Sequence, residues 1–377
     1  MTRSAGRPTV RTIVIGICVL AVALLFGAVV RQAWTANAAS AEVVQLEADG
    51  AEMMHPTMTL LYELVGAQSS AVRGERVNPE PVREALKELS DLNAQFGVAL
   101  KTNQRLTDLT SQVESAFARA ETGRAAYDTY STLVNLAVEM IRRIGDSAHL
   151  IHDPDLDSYY LMDAAIVRLP DAMVYAGRAS DLVTLAGGEK LTGEDQVRAA
   201  VARFGVSYDA ERIAAGLTTS VDFTARSQLG TNIAERFDAF RAAADAFAPP
   251  TMLQELASTV DAATMAANAR RVYAAANSLA HLLLHELQAL LDNRSRSLAE
   301  QQRFTAIAGV AVLLIGFVML WLLIAGRPRR RPSPARFGTL PTESVSVGSL
   351  AYAREMLDQE ELATAGRGTR RGNGNAR

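Results

Sequence analysis

The sequence predicts an all-α, membrane-anchored protein in which an up-and-down helical bundle lies between two transmembrane helices. Two long apolar runs without a charged residue, at 12–30 and 304–326, predict the membrane spans. The residues between them are rich in Ala, Leu, Arg and Glu, which favour helix, and they show little of the period-two alternation typical of strands. The uneven distribution of charge along the chain predicts its orientation.

The first run has 19 residues and the second has 23. At about 1.5 Å per residue, each can cross a hydrocarbon core of roughly 30 Å. A cleaved signal peptide is the alternative for 12–30, because Ala36, Asn37 and Ala38 have the small-x-small form of a cleavage site. The run is longer than a usual signal-peptide core, which favours an uncleaved anchor.

The charges fall into three blocks. Residues 1–11 carry three arginines and no acid, 31–303 carry 25 basic and 36 acidic side chains, and 327–377 carry 10 basic and 5 acidic ones. Because basic flanks stay in the cytoplasm, we expect a plasma (inner) membrane protein with both termini cytoplasmic and 31–303 extracytoplasmic. The acidic middle argues against nucleic acid as a partner. A single cysteine, Cys18, excludes a disulfide framework.

Breaks rich in Gly and Pro divide the outer region into helices. Asp153 is the predicted cap of a helix whose first residue is Pro154. The last helix is expected to continue into the second apolar run. Either one long four-helix bundle or two stacked bundles would accommodate a region of this length. The six predicted helices are 32–72, 80–121, 124–152, 154–185, 195–247 and 251–303.

The stretch IHDPDLDSYYLMDAAIVRLPDAM, residues 151–173, resembles a segment of the outer sensory domains of bacterial chemoreceptors and membrane sensor histidine kinases. The order of span, helical module and span is similar to theirs, and the helix layout resembles the helical bimodular sensors. This resemblance implies a sensory module that binds small anions such as carboxylates between helices. Those families continue into long cytoplasmic signalling domains, whereas 327–377 is a short basic tail predicted to be disordered. The resemblance therefore implies an orphan receptor that needs a separate cytoplasmic signalling protein.

The resembling segment contains a candidate site. Helical projection places Asp163 on the inward face with Tyr159 and Tyr160, and a buried carboxylate needs a partner. In one interpretation Asp163 bonds a tyrosine hydroxyl or an arginine of a neighbouring helix and fixes the packing register. In the other, Asp163, Tyr159, Tyr160 and Arg168 line a small-molecule pocket.

Histidine spacing offers a weaker hypothesis. His149 and His152, and likewise His281 and His285, lie three or four residues apart and share a helix face, as zinc-binding pairs do. Helical phase places them on the polar faces, however, so we expect solvent-facing or rim histidines, no metal and no cofactor.

The sequence contains no phosphate-binding glycine loop, nucleophile elbow or kinase motif set, so we predict that the protein is not an enzyme. The favoured function is that of a receptor whose outer bundle binds a small ligand or partner and relays the binding signal across the bilayer. The alternative is a structural or accessory envelope protein that docks another protein. A receptor predicts a polar pocket, and a scaffold predicts a filled core with an exposed apolar patch. Small residues such as Ala23 and Gly27 in the first span are compatible with a homodimer.

Overall fold

The computed structural model describes residues 10–150, 156–191, 193–223, 229–249 and 261–325. Every regular element in these ranges is helical, as the sequence predicts. His152, Asp153, Pro154 and the tail 327–377 lie outside the described residues. The α-helices are α1 (Val10–Val72), α2 (Glu80–Phe96), α3 (Asn103–Arg119), α4 (Gly123–Ser147), α5 (Leu156–Met162), α6 (Leu169–Leu185), α7 (Gly193–Phe223), α8 (Leu229–Phe247) and α9 (Ala262–Ala325).

Two very long helices, α1 and α9, organise the described fold. They have 63 and 64 residues, and each joins one apolar run to the bundle without interruption. They are antiparallel, because contacts that advance along α1 retreat along α9: Glu47 lies near Arg294, and His55 lies near His281. Among the described residues, one helix, over Ala262–Met319, is apolar and long enough to cross a membrane, and its apolar window is fully exposed.

In the bundle, α2, α4 and α6 pack against the C-terminal half of α1, and α7 packs against α5, α6 and α8. Gly50 of α1 touches Ala148 at the end of α4, and Val65 packs against Gly177 of α6. Almost all buried apolar side chains in the described residues belong to one continuous core, with a four-residue satellite around Tyr127. More than four of the described helices contribute to this core.

Three predicted helix boundaries are wrong. The predicted helix 80–121 is two helices, α2 and α3, because the chain turns at 97–102, where Asn93 accepts a hydrogen bond from Thr102 at 2.6 Å and donates one to Asn103 at 2.8 Å. The predicted helix 195–247 is not one continuous helix, because Nε of Arg203 in α7 donates to the carbonyl of Phe247 in α8 at 3.2 Å. Residues 224–228 lie outside the described residues. The helix predicted to run to 152 ends at Ser147.

The segment that resembles sensory domains contains a local irregularity. Between α5 and α6, Asp163–Arg168 forms a π-helical turn. Pro170 follows directly, and proline lacks the N–H for a helical bond and crowds the carbonyl four residues earlier. A wider turn at this point relieves that clash. π turns of this kind are often found at functional sites.

Candidate functional site

The π turn brings together two of the predicted site residues, Asp163 and Arg168. Nε of Arg168 donates to Oδ2 of Asp163 at 3.2 Å, and its Nη1 donates to Oδ1 of Asp209 in α7 at 3.3 Å. In a regular α-helix, residues five apart point in different directions, so the wide turn is what allows this pairing. The partner of Asp163 is therefore an arginine, supplied by its own turn and not by a neighbouring helix.

The ion pairs around Arg168 form a closed network. The side chain of Asp209 is only 5% exposed, and burial raises its pKa to about 6 against the opposing effect of the Arg168 hydrogen bond. Burial alone would lower the pKa of Arg168, but the carboxylates of Asp163 and Asp209 hold it above its ordinary value. Tyr208 lies under the guanidinium, with its ring centroid 5.9 Å from Cζ. Each charge in this cluster already has a partner inside the protein.

The two predicted tyrosines are arranged differently. Tyr159 and Tyr160 make an edge-to-face contact with ring centroids 5.2 Å apart, and Tyr159 is exposed. Tyr160 packs against α7, where a Cβ added to Gly216 would lie 3.0 Å from its ring. Among the described residues, neither tyrosine hydroxyl hydrogen-bonds Asp163. The structure thus brings Asp163 and Arg168 together but does not join the tyrosines to them through a polar contact.

The histidines form a pair that the sequence did not reveal. The sequence predicts His281 at a solvent-facing or rim position, whereas the structure places it half-buried between α1 and α9. Its Nδ1 lies 3.0 Å from Nδ1 of His55 in α1, and its Nε2 lies 3.2 Å from Oγ1 of Thr59. Burial, followed by the neighbouring imidazole of His55, lowers the pKa of His281 to about 4, and burial lowers that of His55. His149 and His285 are exposed, as expected. No group of three or more His, Cys, Asp or Glu that could hold a metal occurs within the described ranges.

A groove between α4, α6 and α7 was not predicted from the sequence. It has a volume of about 490 Å³, and Arg178 of α6 is one of its lining residues. Nη2 of Arg178 donates to Oδ1 of Asn135 at 2.6 Å and to the carbonyl of Ser131 at 3.5 Å. Nε of Arg178 and Oγ of Ser131 are buried without a hydrogen bond. The lining residues are Tyr127, Asp128, Ser131, Asn135, Tyr175, Arg178, Leu182, Val197, Arg198, Val201 and Ala202.

Arg178 has no carboxylate partner among the described residues. Burial is the main cause that lowers its pKa, and the nearby Tyr127, Tyr175 and Asp171 only partly oppose this. Asp171 itself pairs with Arg142 at 3.3 Å. Asp128 also lines the groove, but no ion pair joins it to Arg178 among the described residues.

A signal for Arg178 is present in the sequence of α6. The helix LPDAMVYAGRASDLVTL is apolar or small nearly all round, so any charged side chain on it must be largely buried. The same argument applies to Asp181, which is 1% exposed and accepts a hydrogen bond from Gln68 Nε2 at 2.8 Å. Burial raises the pKa of Asp181 to about 6. The adjacent arginine pairs Arg142–Arg143 and Arg270–Arg271 do not line this groove.

Comparisons of the chain with protein-family models, with curated proteins and with solved structures found no match.

Proposed function

We propose that the protein is a receptor of the bacterial inner membrane whose outer helical bundle binds a small ligand and relays its presence to a separate protein. The observation that carries the proposal is the antiparallel pair of α1 and α9, which extends from the buried core of the bundle into the two apolar runs. The resemblance of residues 151–173 to sensory domains supports it.

The pair supports the proposal of two neighbouring membrane spans. The apolar window of α9 is fully exposed, and the apolar run of α1 exposes large side chains, including Ile17, Leu24 and Leu25. The runs lie side by side, since a Cβ added to Gly309 would be 3.4 Å from Cγ1 of Val30. Leaving so much apolar surface in water is costly, whereas lipid solvates it. A bilayer that surrounds the apolar run of α9 would also surround the adjacent apolar run of α1.

The same pair supports a relay. At about 1.5 Å per residue, α9 is a rod of roughly 95 Å. Within the bundle it packs on α1 through His55 and His281 and through Tyr62 and Tyr273, whose rings lie 5.7 Å apart. A ligand that repacks the outer helices would shift α9 along or around α1, and a helix without a break carries that shift across the membrane.

Cysteine chemistry tests the arrangement of the spans. In a Cys18→Ser background, Val30→Cys with Gly309→Cys should form an intramolecular disulfide in native membranes, because the two side chains face each other. Val29→Cys with Gly309→Cys is the control, since Val29 is exposed. A disulfide in the control at the same rate would contradict the predicted pairing.

Impermeant thiol labelling of spheroplasts tests the orientation. Ser90→Cys in α2 should react in intact spheroplasts, and Ser333→Cys in the tail should react only after lysis. Labelling of both positions before lysis, or of neither position, would overturn the two-span topology.

A specific observation favours the scaffold as a second candidate, with a second copy of this chain as the docked protein. Val197, Val201, Phe204 and Tyr208 lie along one face of α7 and are between 49% and 61% exposed. Their spacing of four, three and four residues is that of a coiled-coil seam, and self-association is the commonest use of such a surface. Phe204→Cys should then give cross-linked dimers in membranes, while Ser90→Cys should not. Absence of a dimer from Phe204→Cys would count against the scaffold and leave the receptor as the better proposal.

A further inference from the structure

We infer that His55 and His281 form a single-proton lock between α1 and α9, in which one Nδ1 proton joins the two rings, and that uptake of a second proton at this contact releases α9 from α1. This inference rests on the proposed function in one respect, because it makes the proton an input of the relay. The lock itself depends only on the outer bundle.

The first step of the argument is the geometry of the two rings. Nδ1 of His55 and Nδ1 of His281 are 3.0 Å apart, the ring centroids are 5.2 Å apart, and the ring planes are inclined by 17°. The centroid separation exceeds the distance between the nitrogens by about the width of one imidazole ring, so the nitrogens point at each other along the line of centres. Nearly coplanar rings that meet end to end share one proton in an Nδ1–H···Nδ1 hydrogen bond. A zinc ion, which needs about 2.0–2.1 Å to each nitrogen, does not fit on this line.

The second step is the direction of that hydrogen bond. Oγ1 of Thr59 donates to the carbonyl of His55 at 3.2 Å and lies 3.2 Å from Nε2 of His281. Because a hydroxyl has one proton to donate, the oxygen accepts from an Nε2–H of His281. A neutral imidazole carries one N–H, so Nδ1 of His281 is the acceptor and Nδ1–H of His55 is the donor. A proton added to this acceptor converts it into a donor, and two N–H groups that face each other repel.

The third step is the environment, which keeps the pair neutral near pH 7. Both imidazoles are half-buried, and burial is the main cause that lowers their pKa values, to about 4 for His281. The surrounding groups act in both directions: Arg236 of α8 and His285 of α9 disfavour a second proton, whereas Glu52 of α1 and Gln288 of α9 favour it. The lock is therefore closed near pH 7 and opens as the pH falls toward about 4.

The fourth step is the position of the lock beside a proline in α1. Pro56 lies in the interior of α1 and directly follows His55. It has no N–H to donate to the carbonyl of Glu52, so α1 lacks one backbone hydrogen bond at this level. Prolines are common sites of helix bending. Loss of a contact that holds α1 to α9 at this point would let the two helices shift relative to each other, which is the displacement that the relay requires.

The protonation state of the two rings tests the lock. The chain contains five histidines, so ¹⁵N-histidine labelling of the full chain in liposomes gives few signals. At pH 7.5, solid-state NMR should show His55 protonated at Nδ1, His281 protonated at Nε2, and a nitrogen–nitrogen coupling across the hydrogen bond. As the pH is lowered to 4, doubly protonated His281 should appear and the coupling should weaken. Absence of the coupling at pH 7.5, or no change in either signal by pH 4, would overturn the inference.

Spin labels test the release of α9. In the Cys18→Ser background, labels at Gln45→Cys and Asn293→Cys are exposed and lie on the membrane side of the lock. Double electron–electron resonance should show that the distance between them shifts or broadens by roughly 2 Å or more between pH 7.5 and pH 4. Circular dichroism checks that the chain remains helical. An unchanged distance distribution in the folded chain would contradict the release.

Variants assign the acid response to the pair. His281→Asn should abolish the distance change, because its amide oxygen replaces the Nδ1 acceptor and does not titrate. His285→Asn, at the exposed neighbouring histidine, is the matched control and should retain the change. A full response in His281→Asn would place the acid sensor elsewhere. Both readouts lie in the outer bundle, whereas thiol labelling and the disulfide test report the spans, so failure of the lock and failure of the proposed topology are distinguishable.

Discussion

Arg168 and Arg178 lie ten residues apart along the same helical segment, and both are only partly exposed, yet their surroundings are opposite. Arg168 contacts two carboxylates, Asp163 and Asp209, which raise its pKa. Arg178 contacts an amide oxygen and a backbone carbonyl, and burial lowers its pKa. The first arginine is part of a finished ion-pair network, and the second is a cation without an anion.

The difference teaches how to separate structure from function in a helical bundle. The closed network joins the π turn to α7, and its charged groups are already paired with each other. The open groove, at Arg178, contains an arginine without an ion-pair partner among the described residues, and Nε of Arg178 and Oγ of Ser131 are buried there without a hydrogen bond. The sequence segment that resembles sensory domains contributes Asp163 and Arg168 to the closed network. Arg178, in the open groove, lies further along α6.

The largest expected effect is that of breaking the closed network. Arg168→Met removes the cation that pairs with the buried Asp209, whose carboxylate must then either stay charged without a partner or take up a proton at pH 7. We expect the free energy of unfolding at pH 7 to fall by about 3 kcal/mol. Urea unfolding monitored by circular dichroism checks this. Arg105→Met, which breaks a surface pair with Glu139, should cost at most about 0.5 kcal/mol. Similar losses in the two variants would contradict the description of Arg168 as part of a buried ion-pair network.

The second effect is a pH dependence from Asp209. Its pKa of about 6 in the fold exceeds the ordinary carboxyl value, so the native state binds more protons than the unfolded state between about pH 4 and pH 6. The stability that Asp209 contributes is thus present below about pH 4 and is lost as pH rises through 6. Asp209→Asn should flatten this part of the profile by about 2 kcal/mol in urea unfolding series. A variant profile parallel to that of the wild type would contradict the buried, raised-pKa description.

The third effect has the opposite sign and arises from the histidine pair between α1 and α9. The pKa of His281 is lowered to about 4, so the unfolded state takes up the proton first as pH falls from about 6.5. The stability that the neutral imidazole contributes is present above about pH 6.5 and is lost toward pH 4. Glu52, His285, Gln288, Thr59 and Arg236 are the surrounding groups that act on the pair.

Between pH 7 and pH 5, the free energy of unfolding should therefore fall less in His281→Asn than in the wild type. The expected difference between the two losses is about 1 kcal/mol. His285→Asn, at the exposed neighbouring histidine, is the control and should retain the acid sensitivity. Equal sensitivity in the His281 variant would show that the pair does not titrate in this window.

The smallest effect is expected at the open groove. Arg178→Met removes a partly buried cation that lacks a carboxylate, so the free energy of unfolding should change by less than about 1 kcal/mol, and a small increase is expected. Urea unfolding in ligand-free buffer measures it. A loss as large as that of Arg168→Met would mean that Arg178 has a structural partner.

The sequence by itself determined the all-helical class, the position of the two apolar runs and the continuity of the last helix into the second run. These features follow from local propensity and from uninterrupted apolar composition, which residues express without reference to their neighbours in space. It also predicted that Asp163 needs a partner, because helical phase placed a carboxylate on an inward face.

Only the tertiary structure decided the rest. His55 meets His281 across 226 positions of sequence, and Asp209 reaches Arg168 from another helix. The turn at Gly97 is decided by the packing of Asn93 against Thr102 and Asn103 and interrupts a segment whose composition favours helix throughout. The groove at Arg178 exists because α7 packs over α4 and α6, and a pattern along one chain does not specify which faces of three helices meet.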